Sequence, residues 1–137
     1  MLTLLHDLTQ QNRLPQISYQ FAKFIDSKQQ TGDYTEQQKN LAILLSALVS
    51  SHLLQGNSCL DLTSESARNP FNLKDKTLDR DFYSELMQKT GTIDPLAWPA
   101  LFQHHVAFSH HPNHVAPLLF QQDRLYFYRY WQAENRI

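Results

Sequence analysis

The stretch that decides the fold is Leu41-Ala42-Ile43-Leu44-Leu45-Ser46-Ala47-Leu48-Val49, because it is apolar on nearly every face of a helix. A helix that is apolar all round is usually the buried helix at the centre of a domain. Thr35 and Gln38, just before it, have the capping-box spacing, in which each side chain accepts a hydrogen bond from a backbone amide of the first turn. The sequence therefore predicts a central helix that starts at Thr35 and ends at Gly56.

Two amphipathic helices are predicted before this central helix. The first carries four leucines on one face: Leu2, Leu4, Leu5 and Leu8. The second begins at Pro15, whose missing N–H has no partner in the first turn of a helix anyway, and ends near Gly32. Its apolar residues follow at intervals of four, three and one, which places them on one face of the helix: Ile17, Phe21, Phe24 and Ile25.

Shorter elements are predicted after the central helix. Residues 59–62 alternate enough for a brief strand, and the polar residues 63–76 favour a loop with at most one helical turn. A helix is predicted from Leu78 to Met87, closed by Gly91, and Asp94-Pro95 is a further helix start. Residues 115–120 and 124–128 are β-prone and flank Gln121-Gln122-Asp123, which together predict a hairpin.

The expected fold class is mainly α (α+β), a small helical domain with a short β-hairpin near its carboxyl end. We expect residues 1–137 to form a single domain, and residues 130–137 to begin another helix inside which the chain stops. That stop predicts a piece of a longer protein. The expected core is Phe21, Phe24, Leu41, Leu44, Leu45, Leu48, Phe82 and Leu86.

The composition limits the classes of function. Twelve basic and thirteen acidic residues leave a net charge of −1, whereas a free nucleic-acid-binding domain usually carries a basic surplus. The single cysteine, Cys59, excludes an internal disulfide and a multi-cysteine zinc site. The amino terminus lacks a basic secretory start, and the longest apolar stretch, residues 41–54, is too short to span a bilayer. We therefore expect a soluble, cytoplasmic protein without a membrane partner.

Two candidate chemical sites are weak. The histidines of the last third are His104, His105, His110, His111 and His114. His110 and His114 have the four-residue spacing of helical metal ligands, but Pro112 interrupts that helix, so we expect a solvated loop and no metal. Cys59 lies in an apolar context, where a thiol is inert, and is expected to be a small core residue.

The aromatic segment at the carboxyl end is a better candidate for binding. Tyr126 and Tyr128 are expected to project from the strand while its alternate residues are buried, and Arg129 and Trp131 follow. These residue types are enriched at the centres of protein–protein interfaces, and they can also stack on single-stranded bases. We take Tyr126, Tyr128, Arg129 and Trp131 as candidate partner contacts, with single-stranded-DNA contact as the alternative.

No catalytic motif accompanies this segment. The chain has three glycines and no Gly-x-x-x-x-Gly-Lys-Ser/Thr phosphate-binding loop. Lys89-Thr90-Gly91-Thr92 is only superficially similar to part of that motif. The residues alone therefore predict a mainly helical interaction domain with no catalytic residue and no cofactor of its own.

Three stretches, in this order, resemble the start of the RecD family of bacterial exodeoxyribonuclease V alpha subunits. Residues 17–22 are similar to an early helix that ends in "QFA". Residues 44–46, which run into residues 56–62, are similar to a buried helix followed by a glycine and a "CL-x-L" strand. Residues 117–120, followed by residues 123–131 and Glu134, resemble the "DRLYL-x-R-x-W…E" segment that leads to the motor. Asn57 departs from the family, which commonly has histidine there.

The resemblance implies an amino-terminal domain that docks its subunit onto RecC and, through RecC, onto RecB. It implies that the full subunit is an ATP- and Mg²⁺-dependent 5′-to-3′ DNA helicase in a RecBCD complex that acts in double-strand-break repair and recombination. The motor motifs would lie beyond residue 137.

Overall fold

The central helix, α3, runs from Glu36 to Leu54 in the computed structural model, which describes residues 1–129. Its start is the predicted capping box: Thr35 Oγ1 accepts from the Gln38 amide at 3.1 Å, and Gln38 Oε1 accepts from the Thr35 amide at 3.1 Å. Every residue from Leu41 to Ser51 is buried. The prediction of a central, buried helix is therefore confirmed.

Helices α1 (Leu2–Gln10) and α2 (Gln16–Gln29) precede it, as predicted. Helix α2 packs against α3 through its small residues, and the hydroxyls of Ser18 and Ser50 are hydrogen-bonded at 2.9 Å. The prediction that Phe24 belongs to the core is wrong, since its side chain is exposed, and Ile17 is exposed as well. The buried face of α2 combines the small residues Ser18 and Ala22 with Ile25 and Gln29.

Short elements follow α3. They are β1 (Cys59–Asp61), α4 (Glu65–Arg68), a 3₁₀ turn (Pro70–Asn72), α5 (Phe82–Thr90), a second 3₁₀ turn (Pro95–Ala97) and α6 (Trp98–Leu101). The strand is confirmed. Helix α5 begins later than predicted, at Phe82 and not at Leu78, because the Asp81 carboxylate caps it by accepting from the Ser84 amide at 3.1 Å.

The remaining strands complete a mixed sheet near the carboxyl end. They are β2 (Phe108–Ser109), β3 (Leu118–Gln121) and β4 (Arg124–Phe127), and the strand order is β1-β4-β3-β2. Strand β4 is antiparallel to both β1 and β3, while β2 is parallel to β3. The predicted hairpin is confirmed as β3–β4, but it is the middle of a larger sheet, and β2 has no counterpart in the predictions.

The core lies between α3 and this sheet. Six of the predicted core residues are buried: Leu41, Leu44, Leu45, Leu48, Phe82 and Leu86. Phe21 is only partly buried, and Phe24 is exposed. The sheet contributes Phe108 and Phe120, whose ring centroids are 5.2 Å apart. The fold is thus the α+β class expected from the sequence. Within residues 1–129, no helix combines the length and the apolar character needed to cross a membrane.

The β3–β4 turn offers a stability prediction. Its two central residues, Gln122 and Asp123, both have positive φ (53° and 59°), as a type I′ turn requires. Asn-Gly adopts these angles at least cost, so the double variant Gln122→Asn/Asp123→Gly is expected to raise the free energy of unfolding by about 1 kcal/mol. Urea unfolding measures it. Gln103→Asn, in an exposed turn without positive φ, is the control; equal effects of the two variants would contradict this account.

Candidate protein-docking surface

The outward face of α2 carries large apolar side chains. Ile17, Phe21 and Phe24 are spaced by four and three residues and lie on one face, as predicted, but that face points away from α3. The prediction that Ile25 shares this face is wrong, since Ile25 is fully buried. Phe24 is 49% exposed. Its ring stacks loosely on that of Phe21, with centroids 6.5 Å apart. An exposed apolar stripe of this size is typical of a surface that meets another molecule.

A groove lies beside this stripe, between α2 and the end of β4. The Phe21 ring packs against Phe127 with centroids 4.8 Å apart, and the groove opens next to this pair with a volume of about 530 Å³. Its opposite wall includes Val115, which is 73% exposed, and Pro117. We call this the α2–β4 groove; it is lined by Phe21, Phe24, Val115, Ala116, Pro117, Phe127, Tyr128 and Arg129.

The residues predicted as partner contacts differ in their exposure to solvent. Tyr126 and Tyr128 are buried, so the prediction that they project into solvent is wrong. Tyr126 pairs with Cys59 of β1 and with Leu119 of β3, so side chains of both neighbouring strands pack beside its ring. The Tyr128 hydroxyl also donates to the carbonyl of Pro112. Arg129 is exposed at the groove, and Trp131 lies outside the described residues.

His105 is buried at the centre of a polar contact that the sequence did not reveal. The Ala107 amide donates to its Nδ1 at 3.1 Å, so Nε2 carries the proton and donates to Gln29 Oε1 at 2.7 Å. Gln29 in turn donates to the carbonyl of Lys39 at 3.0 Å. Burial lowers the pKa of His105 to about 4, which keeps the imidazole neutral. The expectation of a solvated loop is therefore wrong at this position.

His110 and His111 also make structural contacts. A ring nitrogen of His110, Nε2, is 2.6 Å from the carbonyl oxygen of Pro99, and the His111 carbonyl accepts from the Ser109 hydroxyl at 2.7 Å. Among residues 1–129, no three or more histidine, cysteine or acidic side chains come together in a group able to hold a metal ion. The structure therefore offers no geometric support for a metal centre in this region.

Two further sequence candidates occupy ordinary structural positions. Cys59 is only partly buried, whereas it was expected in the core; its neighbour Leu60 fills the core position because successive strand residues face opposite sides. Thr90-Gly91 ends α5 and does not join a strand to a helix as a phosphate-binding loop does. The side-chain amide of Gln37 donates to the Thr90 carbonyl at 2.9 Å, which connects this end of α5 to α3.

The three stretches that carry the family resemblance meet in space. Leu60 pairs with Leu125 across β1 and β4, and Phe21 packs against Phe127 at the end of β4. A family model described as "RecBCD enzyme subunit RecD, N-terminal domain" matches residues 10–126. The chain belongs to this RecD family.

The RecD assignment is supported across the whole chain. The chain is 44% identical over 138 aligned residues to the RecBCD enzyme subunit RecD of Haemophilus influenzae, an alignment that covers 100% of the chain. It spans 22% of the length of that relative. The predicted membership of the RecD family is confirmed, and the α2–β4 groove is therefore a feature of a RecD amino-terminal domain.

Proposed function

We propose that this RecD domain docks its subunit onto RecC through the α2–β4 groove. The observation that carries the proposal is the exposure of Phe24 and Val115 on the walls of an apolar groove. Leaving such side chains in water forgoes about 1.5–3 kcal/mol each relative to burial, so a partner that covers them gains free energy. The relative is named as a subunit of the RecBCD enzyme, which makes another subunit of that complex the natural partner.

The wider role follows the family. We propose that the parent subunit is an ATP- and Mg²⁺-dependent 5′-to-3′ DNA helicase, held near RecB through RecC, in double-strand-break repair and recombination. The part played by this domain is attachment. The near-neutral charge supports attachment to protein, because a domain that grips DNA by itself usually carries a basic surplus.

The variant Phe24→Ala tests the docking surface. Truncation of an anchor at the centre of an interface typically costs about 2 kcal/mol, so we expect the affinity for RecC from the same bacterium to fall at least about tenfold. Biolayer interferometry with immobilised RecC measures it. Leu96→Ala is the matched control, because Leu96 is 45% exposed and does not line the groove.

Folding is checked separately by circular dichroism and thermal unfolding. Phe24 makes few core contacts, so its truncation is expected to leave the spectrum unchanged. If wild type, Phe24→Ala and Leu96→Ala bind RecC with equal affinity, the groove is not the docking surface. Alanine at Tyr126 or Tyr128 is a poor probe of docking, because both side chains are buried and their loss would act through folding.

A second function, contact with single-stranded DNA, is favoured by one observation. Lys23 Nζ lies 5.7 Å from the Tyr19 ring centroid and Lys28 Nζ lies 5.2 Å from that of Phe24, both on α2. Aromatic rings can stack on bases while neighbouring cations bind the phosphates of the backbone. Fluorescence anisotropy with an oligonucleotide tests this function; affinity that falls steeply with salt would support it, and no binding at low salt would exclude it.

A further inference from the structure

We infer that the α2–β4 groove accepts a partner segment whose apolar anchors are flanked by carboxylates. This inference rests on the proposed docking function and adds the chemistry of the partner to it. The apolar walls define the anchors, and two cations at the edge of the groove define the flanking groups.

The first cation is Lys28. It follows Phe24 by four residues and Phe21 by seven, which places all three on one face of α2. Its ammonium lies 5.2 Å from the centroid of the Phe24 ring, and its side chain is exposed. A partner residue that covers Phe24 therefore comes close to the Lys28 charge.

The second cation is Arg129, which directly follows Tyr128 and lines the groove from the β4 side. The ion pairs formed within residues 1–129 use other cations, namely Arg13, Lys39, Arg68 and Arg80. Among these residues, Lys28 and Arg129 thus have no carboxylate partner. Both can pair with carboxylates brought by a partner.

The acidic residue of α2 nearest to Phe24 does not cancel this charge. Asp26 lies two positions after Phe24, which is about 200° around the helix and so on another face. Its carboxylate accepts from the side-chain amides of Gln29 at 3.0 Å and Gln30 at 2.8 Å. The edge of the groove is therefore positive while the whole chain carries −1.

A protein segment fits this combination better than a nucleic acid does. The walls formed by Val115, Pro117 and Phe127 need apolar side chains to cover them, and a phosphate backbone supplies none. Complementary charges at the edge of an interface mainly raise the association rate and select the partner. The occupant is thus an apolar segment of RecC with acidic neighbours.

The double variant Lys28→Glu/Arg129→Glu tests the charge selection. We expect its association rate with RecC to fall about tenfold at ~0.05 M salt, and the deficit to shrink to about twofold at ~0.5 M, because salt screens charges at an exposed edge. The matched control is Lys76→Glu/Lys89→Glu, which changes the net charge equally at exposed positions outside the groove, and its rate is expected to stay within about twofold of wild type. An unchanged or faster rate for the groove variant at low salt overturns the inference.

A peptide titration separates this inference from the docking function. Two labelled peptides share one Leu/Phe core and carry either glutamates or lysines beside it. In amide NMR spectra of the chain, only the glutamate peptide is expected to shift residues 115–117 and the exposed face of α2. If the glutamate peptide causes these shifts but the chain does not bind RecC, the inference holds and RecC docking is excluded. If Phe24→Ala loses RecC binding while Lys28→Glu/Arg129→Glu binds RecC as wild type does, docking holds and the inference is excluded. The inference is also overturned if the lysine peptide causes the stronger shifts or if neither peptide causes any. It is likewise overturned if an oligonucleotide displaces the glutamate peptide from the groove.

Discussion

Replacing Gly91 with alanine is expected to lower the free energy of unfolding by about 3 kcal/mol. Gly91 ends α5 with φ 78° and ψ 164°, a region of backbone conformation that only glycine adopts without strain. A Cβ atom there would also lie inside contact distance of Gln37 Nε2, which donates to the Thr90 carbonyl. The side chain of Gln37 can move away, but this hydrogen bond between α3 and the end of α5 is then lost.

Two further variants divide this effect into its parts. Gly56→Ala adds a Cβ at φ 93° where no atom lies within 4 Å, so it reports backbone strain with open space. Gln37→Ala removes the hydrogen bond alone and is expected to cost about 1 kcal/mol. Urea unfolding of the three variants measures the parts. If Gly91→Ala costs no more than Gln37→Ala, residue 91 does not have a positive φ in the folded protein.

Acidification from pH 7 to pH 4 is expected to remove about 3 kcal/mol of stability through His105 alone. Burial lowers its pKa to about 4 in the folded chain, whereas the unfolded value is about 6.5. The folded chain therefore resists protonation, so the stability from neutral His105 is complete above pH 6.5. It declines as the pH falls through 6.5 and is lost by about pH 4. The rings of Tyr34, Phe102 and Phe108 surround the imidazole and exclude water from it, and this loss of hydration disfavours the charged form.

The variant His105→Gln removes this titration while keeping an amide that can bond to Gln29. Its unfolding free energy is expected to change less between pH 6.5 and pH 5 than that of wild type, whereas the neighbouring exposed variant His104→Gln keeps the wild-type slope. The difference between the two variants is the measured quantity, because burial also lowers the pKa of His52. Parallel pH profiles for all three proteins would contradict the burial of a neutral His105.

Local signals in the sequence were sufficient for helices α1 to α3 and the hairpin. The capping box of Thr35 and Gln38 and the apolar run after it act within a few turns, and the structure has both. The periodicity of α2 correctly grouped Ile17, Phe21 and Phe24. It could not say which face meets α3, because the buried face of α2 includes polar residues such as Ser18 and Gln29, which find hydrogen-bond partners on α3.

The errors at the candidate site come from contacts between distant residues. The burial of Tyr126 requires β1 to pair with β4, and nearly half the chain separates Cys59 from Tyr126. The burial of His105 requires Gln29, which lies on a helix near the amino end. Neither contact leaves a periodic pattern in the sequence. The α2–β4 groove combines both kinds of error, since it joins a helix face assigned to the core with a strand end assigned to solvent.

The position of β4 between β1 and β3 also bears on the order of events during synthesis. A nascent chain leaves the ribosome amino end first, and contacts between distant residues close late because a long loop must be ordered. Helices α1 to α3 can therefore associate while β1 still lacks its neighbour. Leu60 and the sheet-facing side of α3 stay open to other molecules until β4 has emerged. We expect this half-assembled intermediate to be the form of the chain most in need of a chaperone.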